Sequence, residues 1–133
     1  MAANTNPIFA LVPLVTSVTI TATTTDKSGA TNTNIKTLYT AATNGTKITQ
    51  IGFKCVGNSS AGIFLIWITD TSGANPILFE EILIAAVTSS NTVATYKAVN
   101  NYSDLELKSG QQIWVGATVV TTSIYGFAQI GDY

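Results

Sequence analysis

Histidine and arginine are both absent from this chain of 133 residues, cysteine occurs once, and charged side chains make up only 10% of it. Without histidine there is no side chain whose ordinary pKa lies near neutrality. The single thiol, Cys55, has no second thiol or imidazole with which to build a zinc site, so no metal is expected. It also excludes an intrachain disulfide, and with it the small disulfide-stapled secreted modules. Lying in Gly52-Phe53-Lys54-Cys55-Val56, Cys55 reads as a small buried hydrophobe. The missing arginine removes the planar fork that reads guanine, and the six lysines are scattered singly along a chain of net charge −1. No nucleic-acid partner is expected. The central apolar run, residues 63–68, is far short of the roughly 20 residues a spanning helix needs. No positive charge precedes Lys27, so the start does not read as an ordinary signal peptide. These features imply a soluble protein with no membrane partner.

Catalytic chemistry is equally thin. Glu80 and Glu81 are adjacent, and neighbours on a strand point to opposite faces, so they do not converge on one substrate. Asp26, Asp70, Asp104 and Asp132 stand singly, without the alternating spacing of a calcium loop, and read as turn formers. The glycines form no phosphate-cradling motif. The chain is therefore expected to be no enzyme, with no catalytic residues and no cofactor.

What is present is threonine, valine and isoleucine in alternation. Val18-Thr19-Ile20-Thr21-Ala22-Thr23 has period two, the mark of a half-buried strand. A polar loop follows, then a strand over residues 35–42. Asn44-Gly45 is expected to close a tight hairpin into a strand carrying Ile51, Phe53 and Cys55 on one face. After the turn at 57–62, residues 63–68 are apolar on both faces, which predicts a central strand covered on both sides, by its own domain or by a partner. Further strands are expected over 77–86, 92–99, 105–107, 112–120 and 124–130, with turns at 70–76 and 100–104. Trp67 and Trp114 read as core, and Tyr102, in the expected turn, as the best candidate for an exposed aromatic.

No segment holds a helical period over ten residues. The pattern predicts an all-β antiparallel β-sandwich of jelly-roll type, with an immunoglobulin-like sandwich or a small barrel as rivals. Residues 1–13 carry Pro7 and Pro13 around Ile8, Phe9, Leu11 and Val12, which disfavours a helix and suits an extended arm ahead of a single domain over 14–133. The arm either docks on a neighbouring subunit or forms a first edge strand of its own sandwich. So little charge leaves much of the exterior to neutral side chains, a surface suited to burial against copies of itself or a larger assembly.

Three segments also resemble a family of small bacteriophage virion proteins. They are Thr37-Leu38-Tyr39-Thr40-Ala41-Ala42-Thr43-Asn44-Gly45-Thr46-Lys47-Ile48, then Leu105-Glu106-Leu107-Lys108-Ser109-Gly110-Gln111-Gln112-Ile113-Trp114-Val115-Gly116, and the closing Gly131-Asp132-Tyr133. The likeness spans roughly residues 37–133 and departs from the family at Lys47, where arginine is common. It implies a structural, virion-located protein assembled in the host cytoplasm, a capsid decoration (cement) protein that stabilises the head shell. The implied partners are the major capsid protein and further copies of itself, as a homotrimer, with Ile8, Phe9, Leu11 and Val12 as contact residues. The alternative is a tail or fibre accessory domain that binds a host-surface glycan or receptor, with glycan recognition through loops such as 57–62, 71–76 and 100–104.

Overall fold

In residues 46–55 the inward apolar side chains Ile48 and Ile51 are three apart, which a regular strand would send to opposite faces. The chain resolves this with a bulge. In the computed structural model, which describes residues 12–31 and 33–133, the register of β3 (Thr46–Cys55) shifts between Ile48 and Gln50 against both neighbouring strands. Ile48, Ile51, Phe53 and Cys55 are then all buried.

Seven more strands are described: β1 (Val12–Ile20), β2 (Lys36–Thr40), β4 (Gly62–Ile68), β5 (Ile77–Ile84), β6 (Lys97–Leu107), β7 (Gln112–Ala117) and β8 (Ile124–Asp132). They form two four-stranded sheets, the first ordered β1-β8-β3-β6 and the second β2-β7-β4-β5, with every pairing antiparallel. The expected all-β antiparallel sandwich is therefore what the chain forms. Of consecutive strands only β4 and β5 are paired; every other connection crosses from one sheet to the other. The core lies between the sheets, where Phe53 of β3 stacks on Phe64 of β4 with centroids 4.7 Å apart. Ile20, Ile113, Val115 and Ala128 complete the packing around them. Each such large side chain contributes about 1.5–3 kcal/mol by leaving water.

β4 is an interior strand, and Phe64, Leu65, Ile66 and Trp67 have no exposed surface. Phe64 and Ile66 face the core; the outer side is closed by the chain's own β1–β2 connection. There Trp67 Nε1 donates to the Lys27 carbonyl at 2.8 Å, and the Thr24 amide donates to the Ala117 carbonyl at 2.9 Å. A Cβ on Gly116 would meet the Thr24 methyl at 2.7 Å, so this glycine lets the connection lie close to the sheet.

Two local expectations are corrected. Asn44-Gly45 closes no hairpin, because β2 and β3 belong to different sheets. Gly45 instead ends a turn in which its amide donates to the Ala42 carbonyl, and it has a positive φ of 94° while Asn44 has none. Residues 100–104 form no turn either. They lie inside β6, an edge strand whose outward side chains are free to be polar, and residues 92–96 precede it as loop.

Candidate functional site

The three segments that carry the family resemblance meet at one end of the sandwich. Tyr39 of β2 donates its hydroxyl to Asp132 Oδ2 at 2.6 Å, and the fully buried Thr46 of β3 donates to Asp132 Oδ1 at 2.7 Å. The Ala42 amide donates to Thr46 Oγ1, and the Tyr133 amide donates to the Gly45 carbonyl. The Ala41 amide donates to the Gln111 carbonyl, and Tyr133 donates its hydroxyl to Glu106. Burial, the Asp132 hydrogen bond and the Asp132 charge push the Tyr39 hydroxyl up to about 12. A carboxylate that accepts from two hydroxyls and joins both sheets acts as a clasp, and neither oxygen is left aimed at a ligand. These motif residues shape a corner of the fold.

The remaining expected residues are dispersed. Of the arm residues, Ile8, Phe9 and Leu11 lie outside the described residues. Val12 opens β1 opposite Asp132 and is exposed. Pro13 is also within β1, opposite Gly131. Glu80 faces the opening between the sheets, where Asn100 Nδ2 donates to it at 3.3 Å; Glu81 faces outward and pairs with Lys27 Nζ at 2.6 Å. Cys55 is buried, and that burial pushes its thiol up.

Asp26 and Asp70 organise their turns. Asp26 accepts from the amides of Ser28 and Thr31, and Asp70 from those of Ser72 and Ala74. Hydrogen bonds from Ser28 and Thr31, and from Ser72, Ala74 and Asn75, hold these two carboxyls well below the usual range. Asp104 and Asp132 lie in strands, not in turns. Among the described residues no three His, Cys, Asp or Glu side chains gather as metal ligands would.

The aromatic expected in a loop is also relocated. Tyr102 sits on β6, half-buried, its ring 5.9 Å from that of Phe79 across the open side of the sandwich. Its hydroxyl is buried without a partner, and burial and the Glu80 charge push it up to about 12. Tyr125 is the exposed tyrosine instead, while Trp67 is core and Trp114 half-buried. Loops 57–62 and 71–76 flank opposite ends of β4, so with 100–104 in a strand these three segments form no common binding surface.

Three surfaces remain. The first is β5, one of the two edge strands of the second sheet, which exposes Ile77 (72%), Leu83 (73%) and Phe79 (40%). The second is an open depression of about 380 Å³ beside the start of β1, lined by Pro13, Val15, Lys47, Thr49 and Gln129. It forms at the β3 bulge, where Thr49 displaces the strand and the neighbouring Gly131 has no side chain. The third is the outer face of the first sheet, where Lys54 and Lys97 stand directly opposite one another beside Tyr125. Sequence inspection missed this pair because 43 positions separate lysines that only the β3–β6 register unites.

No protein-family model matches the chain, and no match is found among the curated proteins.

Proposed function

We propose that this chain is a non-enzymatic structural protein of a bacteriophage particle, a capsid decoration protein that associates with copies of itself and with the shell. The observation that carries this reading is the β5 edge. Ile77, Phe79 and Leu83 are exposed along a strand whose outer backbone groups have no neighbour in the sheet, and Leu83 alone is 73% exposed. An apolar free edge is a template for pairing with another chain, and a soluble protein retains one when a partner covers it. Sparse charge over the whole surface favours the same use. Many such contacts, repeated by symmetry, turn modest individual affinities into a firm collective hold.

The strand order supports the jelly-roll part of the reading. Two sheets ordered β1-β8-β3-β6 and β2-β7-β4-β5, with nearly every connection crossing between them, match an eight-stranded double-sheet jelly roll, an architecture used by viral capsid proteins and by lectins. The arm residues Ile8, Phe9, Leu11 and Val12 would supply a second contact, to a neighbouring subunit or to the shell.

Substituting Ile77→Lys and Leu83→Lys together places two charges on the edge without touching the core. Sedimentation of the variant should show dissociation to monomers, and its loading onto purified particles should fall by at least about tenfold while thermal stability is kept. Loading equal to that of the parent chain sinks the proposed role of β5.

A further inference from the structure

The outer face of the first sheet carries an arrangement that costs stability. Lys54 on β3 and Lys97 on β6 are directly opposed in the antiparallel register, so both side chains leave the same face of the sheet with about 5 Å between their Cβ atoms. Both are exposed. Like charges so placed destabilise a sheet. Among the described residues the ion pair is Lys27–Glu81, so neither Lys54 nor Lys97 has a carboxylate within 4.0 Å. The exposed acidic residues of β6 lie towards its far end: Asp104, and Glu106, which stands opposite Lys47 and accepts from Tyr133.

Aromatic and amide groups adjoin the lysines. Tyr125 of β8 lies directly opposite Lys54 and is 47% exposed. Lys97 Nζ sits 5.5 Å from the centre of the Phe127 ring. Two same-face rows from the lysine pair, Gln129 is opposite Gln50, whose Nε2 donates to Asn101 Oδ1 at 2.9 Å. Positive charge, an exposed ring and a row of amides thus share one face of the sheet.

We infer that this face binds a carboxylate-bearing saccharide, a uronate or sialate unit of an acidic glycan. The carboxylate would accept charge-assisted hydrogen bonds from Lys54 and Lys97. Tyr125 presents an apolar ring to the C–H face of one pyranose, and the amides of Gln50 and Gln129, roughly 13 Å further along the strands, meet the hydroxyls of a neighbouring sugar in the same chain. An acidic peptide fits less well. β8 and β3 are interior strands whose backbone groups are spent in the ladders, so a peptide main chain could pair only along the free edge of β6, where it would pass by Tyr125 and the β8 amides. Lys54, Lys97 and Lys47, the last opposite Glu106 at the far end of the face, are also too few for a nucleic-acid track. This surface lies on the opposite sheet from β5, so it would remain open while that edge is covered.

The test is titration calorimetry of the full chain at low salt with oligogalacturonate and oligosialate, against maltohexaose as the neutral sugar and hexaglutamate as the acidic peptide. At least one acidic sugar should bind and maltohexaose should not. Lys54→Gln with Lys97→Gln should weaken that binding by about tenfold or more, and Tyr125→Ala by about threefold. The melting temperature of the double lysine variant should be unchanged or higher, because a repulsion is removed. Absence of binding by both acidic sugars, equal binding by hexaglutamate, or full binding by the folded lysine variant overturns the inference.

Discussion

Tyr39, Thr46 and Asp132 show how far one carboxylate's influence reaches. The Tyr39 and Asp132 side chains are 93 positions apart in the chain, and their hydrogen bond ties β2 of one sheet to β8 of the other. Removing the hydroxyl in Tyr39→Phe should cost about 1.5–3 kcal/mol in urea unfolding at neutral pH, the range for a hydrogen bond to a charged group. The pH dependence has a definite sign. The hydroxyl's pKa is raised in the folded state from 10.0 to about 12, so its contribution is complete below pH 10 and is lost as pH rises from there towards 12. Across that window the parent chain should converge in stability on Tyr39→Phe. Asp26 and Asp70 are legible from sequence because their partners lie within five positions, which turn chemistry predicts. Asp132 is not legible as a clasp, since nothing local announces a partner on another sheet.

At the scale of elements, alternation located most strands, and the misreadings have a common cause. Residues 100–104 have turn composition, yet as part of the edge strand β6 they send Tyr102 inward together with Asn100, which finds a partner in Glu80, and leave Asn101, Ser103 and Asp104 exposed. Asn44-Gly45 has hairpin composition, but pairing is chosen by which sheet each strand can bury its apolar face in. The close β3–β6 contact is itself testable. A Cβ on Gly52 would meet Val99 Cγ1 at 2.5 Å and the Ala98 carbonyl at 2.6 Å, and backbone cannot step aside as a flexible side chain can. Gly52→Ala should destabilise by about 1–3 kcal/mol, with hydrogen-exchange protection lost first along β6. Protection lost evenly over both sheets would count against a local clash.

For the whole molecule, the two sheets use their outer faces differently. The second is roofed by the β1–β2 connection and ends in the apolar β5 edge, whereas the first presents an open face with Lys54 and Lys97 at one end and the depression beside Val15 at the other. A decoration protein with one side for attachment and another facing solvent fits that asymmetry. Quantitative mass spectrometry of purified particles should then find this chain at a fixed ratio to the major shell protein, in hundreds of copies. A handful per particle would move it to a vertex or tail, and none would end the particle reading.

Period-two alternation, sparse charge and the doubly apolar stretch at 63–68 were enough to determine an all-β antiparallel fold with β4 in its interior, and the two-sheet strand order then decided sandwich against barrel. Such patterns are properties of single strands, set by which faces must leave water. Tertiary structure alone decided what covers β4, which loops share an end, and that Lys54 meets Lys97 while Tyr39 meets Asp132. Each of these depends on the register and order of strands far apart in the chain, and many registers satisfy the same local pattern until the packing of two sheets selects one.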